Sequence, residues 1–159
     1  GSCGVALDAQ AEQLPSYFQY RPRTQFFALF VGDRSDARAT LYVSERAANS
    51  SMSKQFTEFY NPGKPIEVRE VPTITMNDLL DRAGVSRVDF LTMDIEMAEP
   101  AALAGFDIGR FRPALVCVEA HPPIRQVLID YFVRHDYRIV AKYLWADWEN
   151  LYFAPLPPE

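Results

Sequence analysis

The chain has 159 residues, with 12 Pro, 7 Gly, 2 Cys and a formal charge of −5 from 16 Lys plus Arg against 21 Asp plus Glu, which suits one domain with a sizeable core. Hydrophobic residues at 48% and aromatics at 13% exclude a disordered chain, and charged residues at 23% exclude a membrane-embedded one. A pI near 5.1 leaves no basic footprint for nucleic acid.

Gly1-Ser2 lacks an initiating Met and looks like a cleavage scar, so the natural chain is expected to begin near Cys3 or further upstream. Gly4-Val-Ala-Leu-Asp8 reads as a short strand ending in an acid, and Ala9 to Tyr20 as the helix after it. Gln25 to Val31 reads as one strand closed by Gly32-Asp33, and Ala39 to Ser44 as another. Residues 45–64, with Asn49-Ser-Ser-Met-Ser53 and Asn61-Pro-Gly-Lys-Pro65 at their far end, read as a long functional loop. Ile66 to Met76 alternates like an exposed strand, with Thr75 or Asn77 capping a helix through Leu79-Leu80 that Gly84 ends. Val88 to Asp94 is an apolar strand ending in acid, Glu99 to Ala104 a helix stopped by Gly105, and Pro113 to Glu119 a second apolar strand ending in acid. A helix from about Ile124 to His135 comes next, then strands at Tyr137–Tyr143 and Leu151–Ala154. The short segment 144–150 between those strands lets them pair antiparallel. Strands alternating with helices predict a mainly parallel sheet covered on both faces, in one domain. The string Glu149-Asn-Leu-Tyr-Phe153 resembles an engineered protease site, but Ala154-Pro155 does not complete it, so it reads as the native last strand.

Cys3 and Cys117 are too few and too far apart for a disulfide framework or a four-ligand zinc site, and Cys117 reads as a core residue. No stretch reaches the roughly 20 apolar residues of a membrane span, and residues 1–20 show no leader, so a cytoplasmic protein is expected.

Three apolar strands end in acids, Asp8, Asp94 and Glu119. In open parallel sheets ligands bind at the carboxyl ends of strands, so these side chains are expected to share a cleft. Asp8 suits ribose hydroxyls, or else a cap on the following helix. Asp94 and Glu96 share a face if the backbone stays extended, and such a carboxylate takes a proton from a substrate hydroxyl when within reach. Glu119-Ala-His121 adds a second carboxylate and an imidazole, His121 alternatively being only a turn residue before Pro122-Pro123. The other histidine, His135, falls at a helix end, so no metal-binding histidine cluster is expected.

The run Val71-Pro-Thr-Ile-Thr-Met-Asn-Asp-Leu-Leu80, Gly84, Val88-Asp-Phe-Leu-Thr-Met-Asp-Ile-Glu96, Ala98-Glu99, Ala102-Leu-Ala-Gly105 and Val116-Cys-Val-Glu119 resembles the FkbM family of methyltransferases. The matching stretch covers roughly residues 66–121. Family members carry a similar Asp-x-Glu-Gly-x-Glu run. The resemblance implies a Rossmann-like class I methyltransferase sheet, mostly parallel with an antiparallel C-terminal strand. It also implies S-adenosylmethionine as cofactor and transfer to a hydroxyl of a sugar, polyketide or related small metabolite. It places Asp8 at the ribose, Asp33 at the adenine, and Asp94 and Glu96 on the cofactor and substrate side. Transfer to a hydroxyl needs a base, for which Asp94 or Glu119 is the candidate, and Glu96 and His121 are expected toward the substrate. Met97 stands where the family has Gly. The first strand and its glycine-rich turn are not recognisable, so the chain enters at what resembles the second strand, as a fragment or a shortened relative.

Two other readings stay open. One is a non-catalytic methyltransferase-like module that self-associates as a homodimer through a sheet edge or the aromatic segment Tyr143-Leu-Trp-Ala-Asp-Trp148, unless Trp145 and Trp148 pack in the core. The other is a hydrolase using Asp94, Glu96 and Glu119 on a divalent metal, although no spacing selects it.

Overall fold

The computed structural model describes residues 3–46 and 49–157, so the expectation for Gly1-Ser2 lies outside the described residues. The architecture is mixed α/β, with three sheets among the described residues. Strand β1 (Gly4–Leu7) pairs in parallel with β2 (Thr24–Phe27), Leu7 opposite Phe27. A 3₁₀ turn at Ala11–Gln13 and helix α1 (Leu14–Tyr20), with Pro15 in its first turn, make the crossover.

The apolar run 25–31 is not one strand. It breaks after Phe27, and Phe30–Val31 form a separate strand β3 that pairs in parallel with Thr73 and Ile74 of β5 (Glu67–Ile74). Both halves are apolar, so composition hides the change of partner. Strand β4 (Arg38–Val43) runs antiparallel to β5, which therefore lies between β3 and β4 rather than at an edge. The start of β5 is nonetheless exposed, and burial sets in only at Val71, Thr73 and Ile74.

Within the segment expected to be all loop, Lys54–Tyr60 form helix α2. The Ser53 hydroxyl caps it by accepting from the Phe56 amide at 3.3 Å. Thr75 does the same for α3 (Met76–Arg82), accepting from the Asp78 amide at 3.1 Å, and Gly84 comes just after it with a positive φ of 69°.

The third sheet has the order β6-β7-β9-β8. Strands β6 (Phe90–Met93) and β7 (Leu115–Glu119) are parallel. Helices α4 (Glu99–Ala104) and α5 (Ile108–Phe111) lie between them in sequence, α5 being an element that the hydrophobic pattern did not disclose. Helix α6 (Pro122–Arg134) leads to β8 (Tyr137–Ile139), shorter than expected because Ala141–Tyr143 turn into a 3₁₀ helix. Strand β9 (Asn150–Pro155) then inserts between β7 and β8, antiparallel to both. Among the described residues three pairings are parallel and three antiparallel, spread over several sheets where one mainly parallel sheet was expected. The expected antiparallel return of the last strand is present, as the short 144–150 connection requires.

The main core joins Val116 and Val118 of β7, Leu151 and Phe153 of β9, Leu128 and Phe132 of α6, and Leu103, Ile108 and Phe111. Phe132 and Phe153 stack with ring centroids 4.1 Å apart. A smaller cluster of Phe30, Leu41, Val71 and Ala98 seals the β3-β5-β4 sheet. Cys117 is buried, as expected. Trp145 and Trp148 are not core residues: they are 96% and 76% exposed, because the tight turns after the 3₁₀ helix carry them off the sheet. Among the described residues no helix is long and apolar enough to cross a membrane.

Candidate active site

Parallel pairing of β6 with β7 sets Met93 opposite Val118, so the segments leaving the two strands emerge on one side of the sheet. Beyond β6 the chain runs Asp94-Ile95-Glu96 before α4, and beyond β7 it runs Glu119-Ala120-His121 into α6. The histidine Nε2 lies 3.0 Å from Glu119 Oε2 and 3.5 Å from Glu96 Oε2. These side chains are mostly shielded, 20% exposed at His121 and Glu96 and 16% at Glu119.

Behind them sits a carboxylate with no solvent exposure, Glu99. Its Oε1 accepts from the Ile95 amide at 2.9 Å and pins the loop that carries Glu96. That loop is also held by Ser51, whose hydroxyl donates to the Glu96 carbonyl at 2.6 Å. Glu96 and Met97 both take positive φ, 53° and 81°, the left-handed region that disfavours side chains. Met97 thus occupies the conformation that a glycine would enter freely.

Crowding of acids shifts their protonation. Burial first, then the charges of Asp94 and Glu99, push Glu96 up to about 7. Glu119 is also pushed up to about 7, by burial first and then by Asp94, against the opposing charge of His121. Burial raises Glu99 as well. Glu96 and Glu119 thus exchange protons near neutrality, the range a general base needs.

A cleft of about 200 Å³ opens beside the cluster. Its lining includes Leu7, Asp8, Ser50, Ser51, Asp94 and Glu96. Asp8 is half-buried, uses Oδ1 to accept from the Gln10 amide at 2.8 Å, and is raised by burial. One of its oxygens therefore turns the chain after β1, and the carboxylate also faces the cleft.

The structure thus gathers Asp8, Asp94 and Glu96 around one cleft and sets Glu119 and His121 against Glu96. Asp33 is not among the residues lining it; its exposed carboxylate faces the Arg34 guanidinium at 3.4 Å. Three contributors were not expected as site residues: Ser51, Glu99, and Phe56 of α2, whose ring meets the His121 imidazole edge-on at 5.2 Å. Glu99 had a signal, since it closes the Asp-x-Glu-x-x-Glu spacing. Ser51 and Phe56 had none, lying in the segment read as loop.

Compared with protein-family models, residues 5–147 match the methyltransferase FkbM domain. The chain belongs to that family. No curated protein and no solved structure matches it. The match extends well beyond the stretch 66–121 that carries the recognisable motif, and takes in β1, the cleft and the segment through Asp147.

Proposed function

We propose that this FkbM-family chain is an S-adenosylmethionine-dependent methyltransferase that acts on a hydroxyl of a small metabolite or sugar. The supporting observation is the convergence of Asp8, Asp94 and Glu96, from the ends of β1 and β6, on one cleft. The donor chemistry fits the cofactor. Carboxylates accept hydrogen bonds from ribose hydroxyls, so Asp8 would hold the ribose. When bound, the cofactor supplies an electrophilic methyl group.

The chain's own part is orientation and proton removal. A hydroxyl is a poor nucleophile until its proton leaves, and Asp94 on the cleft wall is the acceptor that meets it. In the metal-free chain Glu119, which feels the Asp94 carboxylate, is the second group available to take the proton onward. Aligning the acceptor oxygen is the larger contribution, because it replaces an encounter in solution with a fixed approach.

Calorimetric titration with S-adenosylhomocysteine tests this without knowledge of the acceptor. One molecule bound per chain is expected, with affinity reduced tenfold or more by Asp8→Asn, roughly what loss of one charge-assisted hydrogen bond gives. Absence of saturable binding refutes the reading. It would favour a non-catalytic, self-associating module, for which the exposed Trp145 and Trp148 are the supporting feature.

A further inference from the structure

We propose that Glu96, Glu119 and His121 form a binding site for one divalent first-row transition cation, such as Mn²⁺. One ligand atom from each of the three side chains lies within 4.8 Å of the others. Bonds of about 2.1 Å to nitrogen and oxygen make the edges of a coordination shell about 3.0 Å in an octahedron and about 3.4 Å in a tetrahedron. The separations from His121 Nε2, 3.0 Å to Glu119 and 3.5 Å to Glu96, have those lengths.

The polar atoms also lack other employment. Glu119 Oε2 and His121 Nε2 are shielded from solvent and, despite their proximity, are not aligned in a hydrogen bond. Independently of this trio, the fully buried Glu99 has an Oε2 with no partner, and its carboxylate interacts with the charges of both Glu96 and His121. A buried, unpaired carboxylate is costly unless a positive charge faces it. Among the described residues none of Asp94, Glu96, Glu99 and Glu119 pairs with a Lys or Arg. Four carboxylates thus share a single imidazole, and a dication offsets the excess.

The donor set selects the ion class. Carboxylate oxygens with one imidazole nitrogen, and no thiolate, suit Mn²⁺, Fe²⁺ or Zn²⁺ better than Mg²⁺ or Ca²⁺, which take oxygen only. Glu96 belongs to both cluster and cleft, so a cation held there would adjoin the cleft. One consequence rests on the methyl-transfer reading: a hydroxyl oxygen on the cation is acidified, and Asp94 alone takes its proton. Cation binding itself does not depend on that reading.

The test uses the chelator-stripped chain and Mn²⁺ alone. Electron paramagnetic resonance of free Mn²⁺ should show saturation at one ion per chain. Glu119→Gln and His121→Gln should each weaken binding at least about tenfold, whereas Glu58→Gln on the surface of α2 should not. Imidazole NMR gives a readout that needs no variant. The chain has only His121 and His135, at opposite ends of α6 and about 20 Å apart along it. Substoichiometric Mn²⁺ should broaden the His121 resonances first. No saturable binding, equal broadening of both histidines, or folded variants with unchanged affinity would each overturn the site.

Discussion

Stability of the metal-free chain should fall as pH rises from about 4.5 to about 7, and Glu96→Gln should remove much of that fall. Glu96 moves from an ordinary value of 4.5 to about 7 in the folded chain, through burial and the charges of Asp94 and Glu99. Between those two values the unfolded chain has lost the proton while the folded chain keeps it. The folded state therefore binds more protons, and raising the pH favours unfolding. At about 1.4 kcal/mol for each pH unit, the interval corresponds to a penalty of about 3 kcal/mol, absent below pH 4.5 and fully present above 7. Glu119 shares the Asp94 neighbour and feels the charge of Glu96 itself, so the contributions of the two do not simply add. Urea unfolding of wild type and Glu96→Gln, measured with chelator at half-unit steps between about pH 4 and pH 8, isolates the effect. Exposed ion pairs such as Asp81 with Arg110 cancel in the difference. Glu96→Gln should gain on wild type by about 2–3 kcal/mol between the ends of the range. A gap between the two proteins that stays constant with pH would refute the assignment of a buried, crowded carboxyl at Glu96.

Gly105→Ala should destabilise by about 1–3 kcal/mol in chemical unfolding, because a Cβ there would meet the Gly32 carbonyl oxygen at 2.5 Å and Thr75 Cβ at 3.0 Å. A neutral result would mean that the end of α4 is not pressed against the Gly32 turn after β3. Met97→Gly should raise the unfolding midpoint modestly, since relief of about 1–2 kcal/mol at the left-handed position outweighs the roughly 0.4–1 kcal/mol lost to a freer unfolded chain. A loss of stability would show that packing by the half-buried Met97 side chain dominates.

The features legible in the sequence are those whose signals are local. Glu99-Pro100 and Gly105 bracket α4 as expected, and Thr75 caps α3, because caps and stops depend on neighbours in the chain. The acids at the ends of β1, β6 and β7 were legible for the same reason: an apolar run that ends in a carboxylate is a strand leaving the core. Partner choice was not legible. Phe27 and Phe30 are equally apolar, yet one pairs with β1 and the other with β5, and only tertiary contacts distinguish them. Helix α2 escaped notice because its aromatic residues sit among Ser, Asn, Pro and Gly, although Ser53 was an available cap. The joining of Glu96 to Glu119 and His121 depends on the neighbouring of β6 and β7 and on left-handed turns at Glu96 and Met97, which residue types alone do not announce.

The placement of β9 between β7 and β8 bears on how the chain reaches its native state during synthesis. Strand β7 gains its second neighbour only when residues 150–153 arrive, more than thirty positions after it has been made. Until then one row of its amides and carbonyls is open, next to Val116 and Val118, with Phe132 lacking the Phe153 ring that covers it. Pairing across such a distance in sequence is slow relative to local helix formation. A nascent chain interrupted before Asn150 would present an apolar, unpaired strand to its neighbours on the ribosome, the kind of surface that chaperones hold and that aggregates when they do not.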